Sequence, residues 1–416
     1  MPRRPWTLVI AGLLFGLLPG VARAQDTDAV PTVSITLVGD TGSSGQPVNA
    51  SGVQKNGQFL RWSELLTGIS SDIAGDLQFA NIETVVTTRN DLQVVPKEFN
   101  FRMHPAGLRE LVAHGFNVLS LANNHSLDYG IGGLLETLQH VESMRGNGVN
   151  AAAGVGRNRE QAISPSLFAV KGYDIAFAAM GIGTNNLPGF RPTADRPGQV
   201  DIRSPLDFDE VVDRLQSADV KYRILSMHYG IEYNVRPQAE QVQRWRNVVQ
   251  SRDIDLIVGH HPHVVAGIEL IDGRLVFYGL GNFMHHGTRS LSYLGACRDF
   301  GLVARVTVRP GPNGRLAPLA VEAIPVVNTD VRPRRLAVRD SQKRIEFLNL
   351  ISKGLSPGVD FGLKFQPQTD GTGVACMPGS ETLKNRLGDV CRRWVPPPTP
   401  TPDVERGMRA SCGRWD

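Results

Sequence analysis

From Thr32 onward the chain alternates continuous apolar runs with segments of helical periodicity, a pattern that demands a sheet buried on both faces by helices. The runs are VSITLVGD, LQFANIE, FNVLSLANNH, DIAFAAMG, YRILSMHYG, DLIVGHHPH and RLVFYGLGNF. Between them lies PAGLRELVAHG, with Pro105 suited to a first helical turn and Gly115 to a C-terminal cap. IGGLLETLQHVESMRG, DFDEVVDRLQSA and AEQVQRWRNVVQSRD are the other helix candidates. GLVARVTVRP and LAPLAVEAIPVV, separated by GPNG, predict an antiparallel hairpin that closes the main domain. The expected fold class is α/β.

The N-terminus has a different character. Arg3 and Arg4 precede an apolar stretch that ends in Ala22-Arg23-Ala24, the pattern of a secretory signal cleaved after Ala24. The apolar stretch is shorter than the roughly 20 residues of a spanning helix and is interrupted by Pro19 and Gly20. An exported protein, periplasmic or extracellular, is expected. Loss of Arg3, Arg4 and Arg23 lowers the formal charge from +4 to +1, and no basic stripe interleaved with aromatics is present, so nucleic acid is not an expected partner. Cys376, Cys391 and Cys412 cluster near the C-terminus while Cys297 stands apart, so one disulfide is expected in the tail, its pairing open. The expected organisation is a signal at 1–24, a main domain at 25–330, a helical extension at 331–375 with its helix ending near Lys353-Gly354, and a Cys/Pro-rich tail at 376–416.

In open α/β sheets ligands bind beyond the carboxyl ends of the strands, and here nearly every apolar run ends in polar residues. The first ends at Asp40, the second carries Asn81 and Glu83, and the third Asn123, Asn124 and His125. SMHYGIE supplies His228 and Glu232, and GHHPH supplies His260, His261 and His263. Each alone has an ordinary structural reading as a turn, a cap or a core histidine. Together, carboxylates, amide oxygens and imidazoles are the donor types that Mn, Fe or Zn accept, and one or two divalent ions are expected. In extended backbone His261 and His263 point to one side, stiffened by Pro262, which leaves His260 a supporting role. Asp128 sits where a helix N-cap belongs and is read as the cap.

Other chemistries fit less well. TGSSGQP lacks the frame of a nucleophile elbow, GVGRN is too short for a dinucleotide fingerprint, and no Walker motif occurs. His104, His114 and His140 lie in or beside helix candidates and are read as structural. His285 and His286 follow the LGNF strand end and are lesser candidates for lining the cleft.

VGDTG, FANIETVVT, LANNHSLDYGIGGLLET, GVG, MHYGIEY, IVGHHPHVVAGIE and FYGLGNF, in that order, are similar to the motifs of the CapA family of bacterial capsule-synthesis proteins, from about Val33 to Val327. That family is associated with poly-γ-glutamate production or export. The resemblance implies a metallophosphoesterase-like layered sandwich of mixed β-sheets flanked by helices, with a short C-terminal extension. It implies Asp40, Glu83, Asn124, His228, His261 and His263 as metal ligands, with Asp40 and His125 as the catalytic residues. Asn81, Asn123, Glu232, His260 and Asn282 fall to substrate contact or support. Two departures stand out: Gly42 occupies the place of a ligand histidine, and Glu83 that of a bridging aspartate. The implied substrate is a phosphoester or an anionic polymer, hydrolysed with His125 assisting the leaving group. A γ-glutamyl amide is a second substrate, a capsule-synthesis membrane complex a further partner, and a non-enzymatic envelope factor that guides the polymer the alternative function.

Overall fold

The structure is a computed structural model that describes residues 1–2, 30–44, 47–183, 189–355 and 358–412. The signal-peptide reading falls on residues outside these. In chain order the main strands begin with β1 (Val33–Gly42), β2 (Leu77–Ile82), β3 (Val118–Ser120) and β4 (Ala151–Ala153). There follow β5 (Ser166–Val170), β6 (Tyr173–Gly181), β7 (Tyr222–His228), β8 (Leu256–His260), β9 (Ile268–Ile271) and β10 (Arg274–Phe277). The last are β11 (Asn282–His285), β12 (Gly301–Pro310), β13 (Leu316–Val327) and β14 (Gly373–Cys376). The larger helices are α1 (Pro105–Ala113), α2 (Gly130–Glu142), α3 (Pro205–Ser217), α4 (Ala239–Ser251) and α5 (Val338–Ser352). All four helix candidates between the apolar runs form, as does the hairpin of β12 and β13.

The strands build two mixed sheets. One runs β14-β13-β12-β1-β2-β3-β4, with β1 to β4 parallel and the hairpin antiparallel to β1. The other runs β5-β6-β7-β8-β10-β9, parallel at its centre and antiparallel at both edges. Residue alternation shows how they stack. Ile35, Leu37 and Phe79 of the first sheet share one core with Phe177, Ile224, Val258 and Phe277 of the second. Ala80 and Ile82, one residue out of phase, turn the opposite way and pack under Leu108 and Leu111 of α1 and Leu134 and Leu138 of α2. In the same manner Ala178, Leu225 and Ile257 pack under Val211 of α3 and Trp245 of α4. The four layers are helix, sheet, sheet, helix. Unbroken apolar runs follow from this, since every central strand is covered on both sides.

The C-terminal part is woven into the larger sheet: β14 pairs with β13, and the helix of the basic segment, α5, ends at Ser352 and sends Ile345 and Leu348 into the core between the sheets. One disulfide forms within the tail as expected, Cys376–Cys391, while the third tail cysteine, Cys412, is bonded to Cys297, which therefore does not stand apart. Asp128 is not the cap of α2, whose N-cap is Tyr129 without a side-chain bond. His104, by contrast, caps α1 by accepting from Ala106 N at 3.1 Å.

Candidate metal centre

Parallel register brings the strand ends together. Asp40 stands opposite Asn81 of β2 on one side and Asn282 of β11 on the other, while His228 at the end of β7 faces His260 at the end of β8. The carboxyl ends of both sheets therefore open into one region, which is where such folds bind ligands. β1 leaves its hairpin partner after Leu37 and runs so close to the segment before β11 that a Cβ on Gly39 would lie 1.9 Å from Gly281 O. Only glycine permits that approach, and Asp40 N donates to Gly281 O at 2.8 Å.

The histidine run is not extended, contrary to the strand reading. β8 ends at His260, and His261 and His263 take φ of 96° and 59° around Pro262. For non-glycine residues such angles cost on the order of 1–3 kcal/mol each and survive only where the surroundings enforce them. They are enforced here: His261 N donates to Asp40 Oδ2 at 3.1 Å, Tyr229 N to His260 O at 3.0 Å and Tyr233 N to Pro262 O at 2.8 Å. The bent loop, rather than strand alternation, turns both rings toward Glu83.

Glu83 is the hub. It is fully buried, and neither of its oxygens accepts a hydrogen bond. Imidazole nitrogens ring it instead: His228 Nε2 at 3.5 Å and His125 Nε2 at 4.0 Å from Oε1, and His285 Nε2 at 3.4 Å from Oε2. Donor atoms of Glu83, His228 and His261 converge within 4.8 Å of one another, and so do those of Glu83, His263 and His285. Asn124 Oδ1 adds an oxygen beside the first group, 2.8 Å from His228 Nε2. A buried carboxylate without hydrogen bonds is strongly disfavoured unless a cation meets it, so the donor set fits divalent metal.

Asp40 stands behind this cluster with both oxygens engaged. Asn81 Nδ2 donates to Oδ1 at 2.9 Å, His260 Nδ1 lies 3.2 Å from the same oxygen, and His263 Nδ1 lies 3.3 Å from Oδ2. Burial alone would raise Asp40, yet these imidazoles hold it well below the usual carboxylate range. Glu83 has no such help, and burial, then the nearby Asp40 charge, pushes it well above. Burial also keeps His228 and His285 neutral, the form that ligates metal. Asn123 fixes the next strand end by donating to Ile82 O at 2.8 Å and to Asn81 Oδ1 at 3.3 Å, and Asn282 Oδ1 lies 2.9 Å from His263 Nδ1. Glu232 is exposed and reaches the cluster through its charge, which raises both Glu83 and His263.

A profile of the bacterial capsule synthesis protein PGA_cap family matches residues 34–286, from the first strand to the last histidine pair. The chain belongs to that family. Among its relatives are the PGA biosynthesis protein CapA of Bacillus subtilis, 29% identical over 51% of this chain and 53% of the relative, and the capsule biosynthesis protein CapA of Bacillus anthracis, 25% identical over 47% and 46%. The chain spans about half the length of the relatives it matches. Among solved structures it is similar to the calcineurin-like phosphoesterase YfkN from Bacillus subtilis, at 12% identity and a TM-score of 0.36 over 73% of this chain and 89% of that one.

In this PGA_cap protein His125 forms a unit with two residues that no strand-end pattern reveals. Its Nδ1 lies 2.6 Å from Asp128 Oδ2 and 3.1 Å from Lys97 Nζ, and its ring stacks on Phe101 at 4.0 Å. Lys97 Nζ also lies 2.5 Å from Asp128 Oδ1 and donates to Asn124 O at 2.7 Å. Lys97 sits in the irregular stretch NDLQVVPKEFNF, where no periodicity marks it. His285 follows a strand end and carried a weak signal of that kind. His286, its neighbour, faces away, with Nε2 3.1 Å from Val331 O.

Proposed function

We propose that this chain is an exported, metal-dependent hydrolase of capsule synthesis, acting on a phosphoester. The observation that carries the reading is Glu83, a buried carboxylate with no hydrogen-bond donor, encircled by five imidazoles. Glu83, Asn124, His228 and His261, with His263 on the other side, would hold the cation, which supplies Lewis acidity toward a substrate oxygen.

The chain's own proton chemistry centres on His125. Lys97 Nζ can only donate to its Nδ1, and Asp128, pushed up to about 7 by burial against the pull of Lys97, is largely a protonated acid below that pH. Burial keeps His125 neutral, so its proton sits on Nε2, the atom facing Glu83. Nε2 gives that proton to a leaving oxygen while Nδ1 takes one from Asp128, whose new charge falls beside the Lys97 ammonium. Export is supported by the signal-like N-terminus and by two disulfides, which persist in oxidising compartments. A membrane complex for capsule synthesis is the partner that the family relationship suggests.

The test is elemental analysis of the purified Gln25–Asp416 protein together with a screen of phosphoester and γ-glutamyl substrates. Bound transition metal with phosphoester turnover is expected. Turnover of γ-glutamyl bonds alone would move the substrate to the polymer itself. Intact, folded protein without metal or metal-stimulated turnover would overturn the reading in favour of a non-enzymatic factor that guides an anionic polymer.

A further inference from the structure

We infer that His285 completes a second cation position that shares Glu83 with the first, and that glycine at position 42 is what admits it. The inference rests on the metal-dependent reading of the site and specifies how many ions it holds and by what device. His285 is fully buried and neither ring nitrogen has a hydrogen-bond partner. A buried structural histidine ordinarily satisfies one nitrogen, as its neighbour His286 does with Val331 O. His285 instead aims Nε2 at Glu83 Oε2 from 3.4 Å, with His263 beside it, ring centroids 5.5 Å apart. Its backbone is fixed from both sides, by His285 N donating to Thr329 O at 2.8 Å and by pairing of β11 with β1.

That pairing sets Gly42 directly opposite His285. A Cβ on residue 42 would lie 2.9 Å from His285 Nε2 and 2.6 Å from Glu83 O, so the imidazole fills the space in which any side chain at 42 would begin. The two positions are thus mutually exclusive sources of a donor. Glu83 offers one oxygen toward His228 and the other toward His285, the disposition of a carboxylate shared between two cations.

Metal-free Gln25–Asp416 protein titrated with Mn²⁺, followed by calorimetry and by electron paramagnetic resonance, tests this without reference to turnover. Two ions per chain with a spin-coupled signal are expected in the wild type. One ion without coupling is expected in His285→Ala, and at least tenfold weaker binding of the second ion in Gly42→Ala, whose methyl displaces the ring. His286→Ala should keep both ions. Should His285→Ala fail to fold, His285→Gln takes its place, with the second ion weakened at least tenfold. Equal stoichiometry in wild type and the His285 variant, whether one or two, overturns the inference and leaves the metal-dependent reading standing. No ion in the wild type overturns both.

Discussion

At the scale of single residues, the centre separates side chains that meet a cation from those that hold them. His261, turned by its positive φ toward Glu83 and pushed down to about 4 by burial, is an unprotonated donor near neutral pH. His261→Ala should therefore release metal from the group it shares with Glu83 and His228, read as a loss of one ion by elemental analysis with near-native circular dichroism. Asp128 makes a different kind of contribution. Asp128→Asn keeps a donor toward His125 Nδ1 but has no proton to give up, so phosphoesters with poor leaving groups should slow by about 10²-fold while those with good leaving groups change little. Bound metal should be unchanged. The wild-type advantage with poor leaving groups should fade as pH rises through about 7, where Asp128 loses its proton, and an advantage that persists at pH 9 would refute the relay.

At the scale of elements, two features fix the strands and helices that carry the site. Gly39 lets β1 pass against Gly281, and Gly39→Ala should cost about 3 kcal/mol or more, seen as a fall in thermal midpoint, because backbone rather than a pliable side chain stands in the way. The start of α3 is held by Ser204, whose Oγ accepts from Asp207 N, and by Asp207, which accepts from Arg159 at 2.6 Å and from Arg191 at 2.9 Å. Burial would raise Asp207, but hydrogen bonds from Arg191 and Arg159 outweigh it and leave its pKa lowered. A lowered acid adds stability above its unfolded value of about 3.9 and loses that stability as pH falls through the lower folded value. Asp207→Asn should thus cost about 2 kcal/mol at pH 7, by urea denaturation, and progressively less below about pH 4.

At the scale of the whole molecule, the disulfides join distant parts of one chain. Cys297–Cys412 spans a sequence separation of 115 residues and Cys376–Cys391 one of 15. Loop-closure entropy then ranks them at about 5 and about 3 kcal/mol, so Cys412→Ser should lower the urea midpoint more than Cys391→Ser. Burial of the central strands on both faces was legible beforehand from runs such as DLIVGHHPH, but what covers them was not. Each sheet meets helices on one face and the other sheet on its second, where the pattern had suggested helices on both. Legible as well were Asp40, Glu83, Asn124, His228 and the GHHPH run, all of them at strand ends. Period-two alternation failed for His261 and His263, because their loop takes positive φ. The N-cap reading failed for Asp128, which faces His125 and Lys97 and leaves the N-cap to Tyr129.

Sequence by itself determined the element order, the family, and the kinds of donor atom available, since periodicity and residue chemistry are local properties. Only tertiary structure decided that Glu83 lies between two groups of imidazoles, that Lys97 backs His125, and that His285 stands where position 42 has no side chain. Those relations depend on how two sheets stack and on the register of β11 against β1, and separations between residues remote along the chain are written into no local pattern.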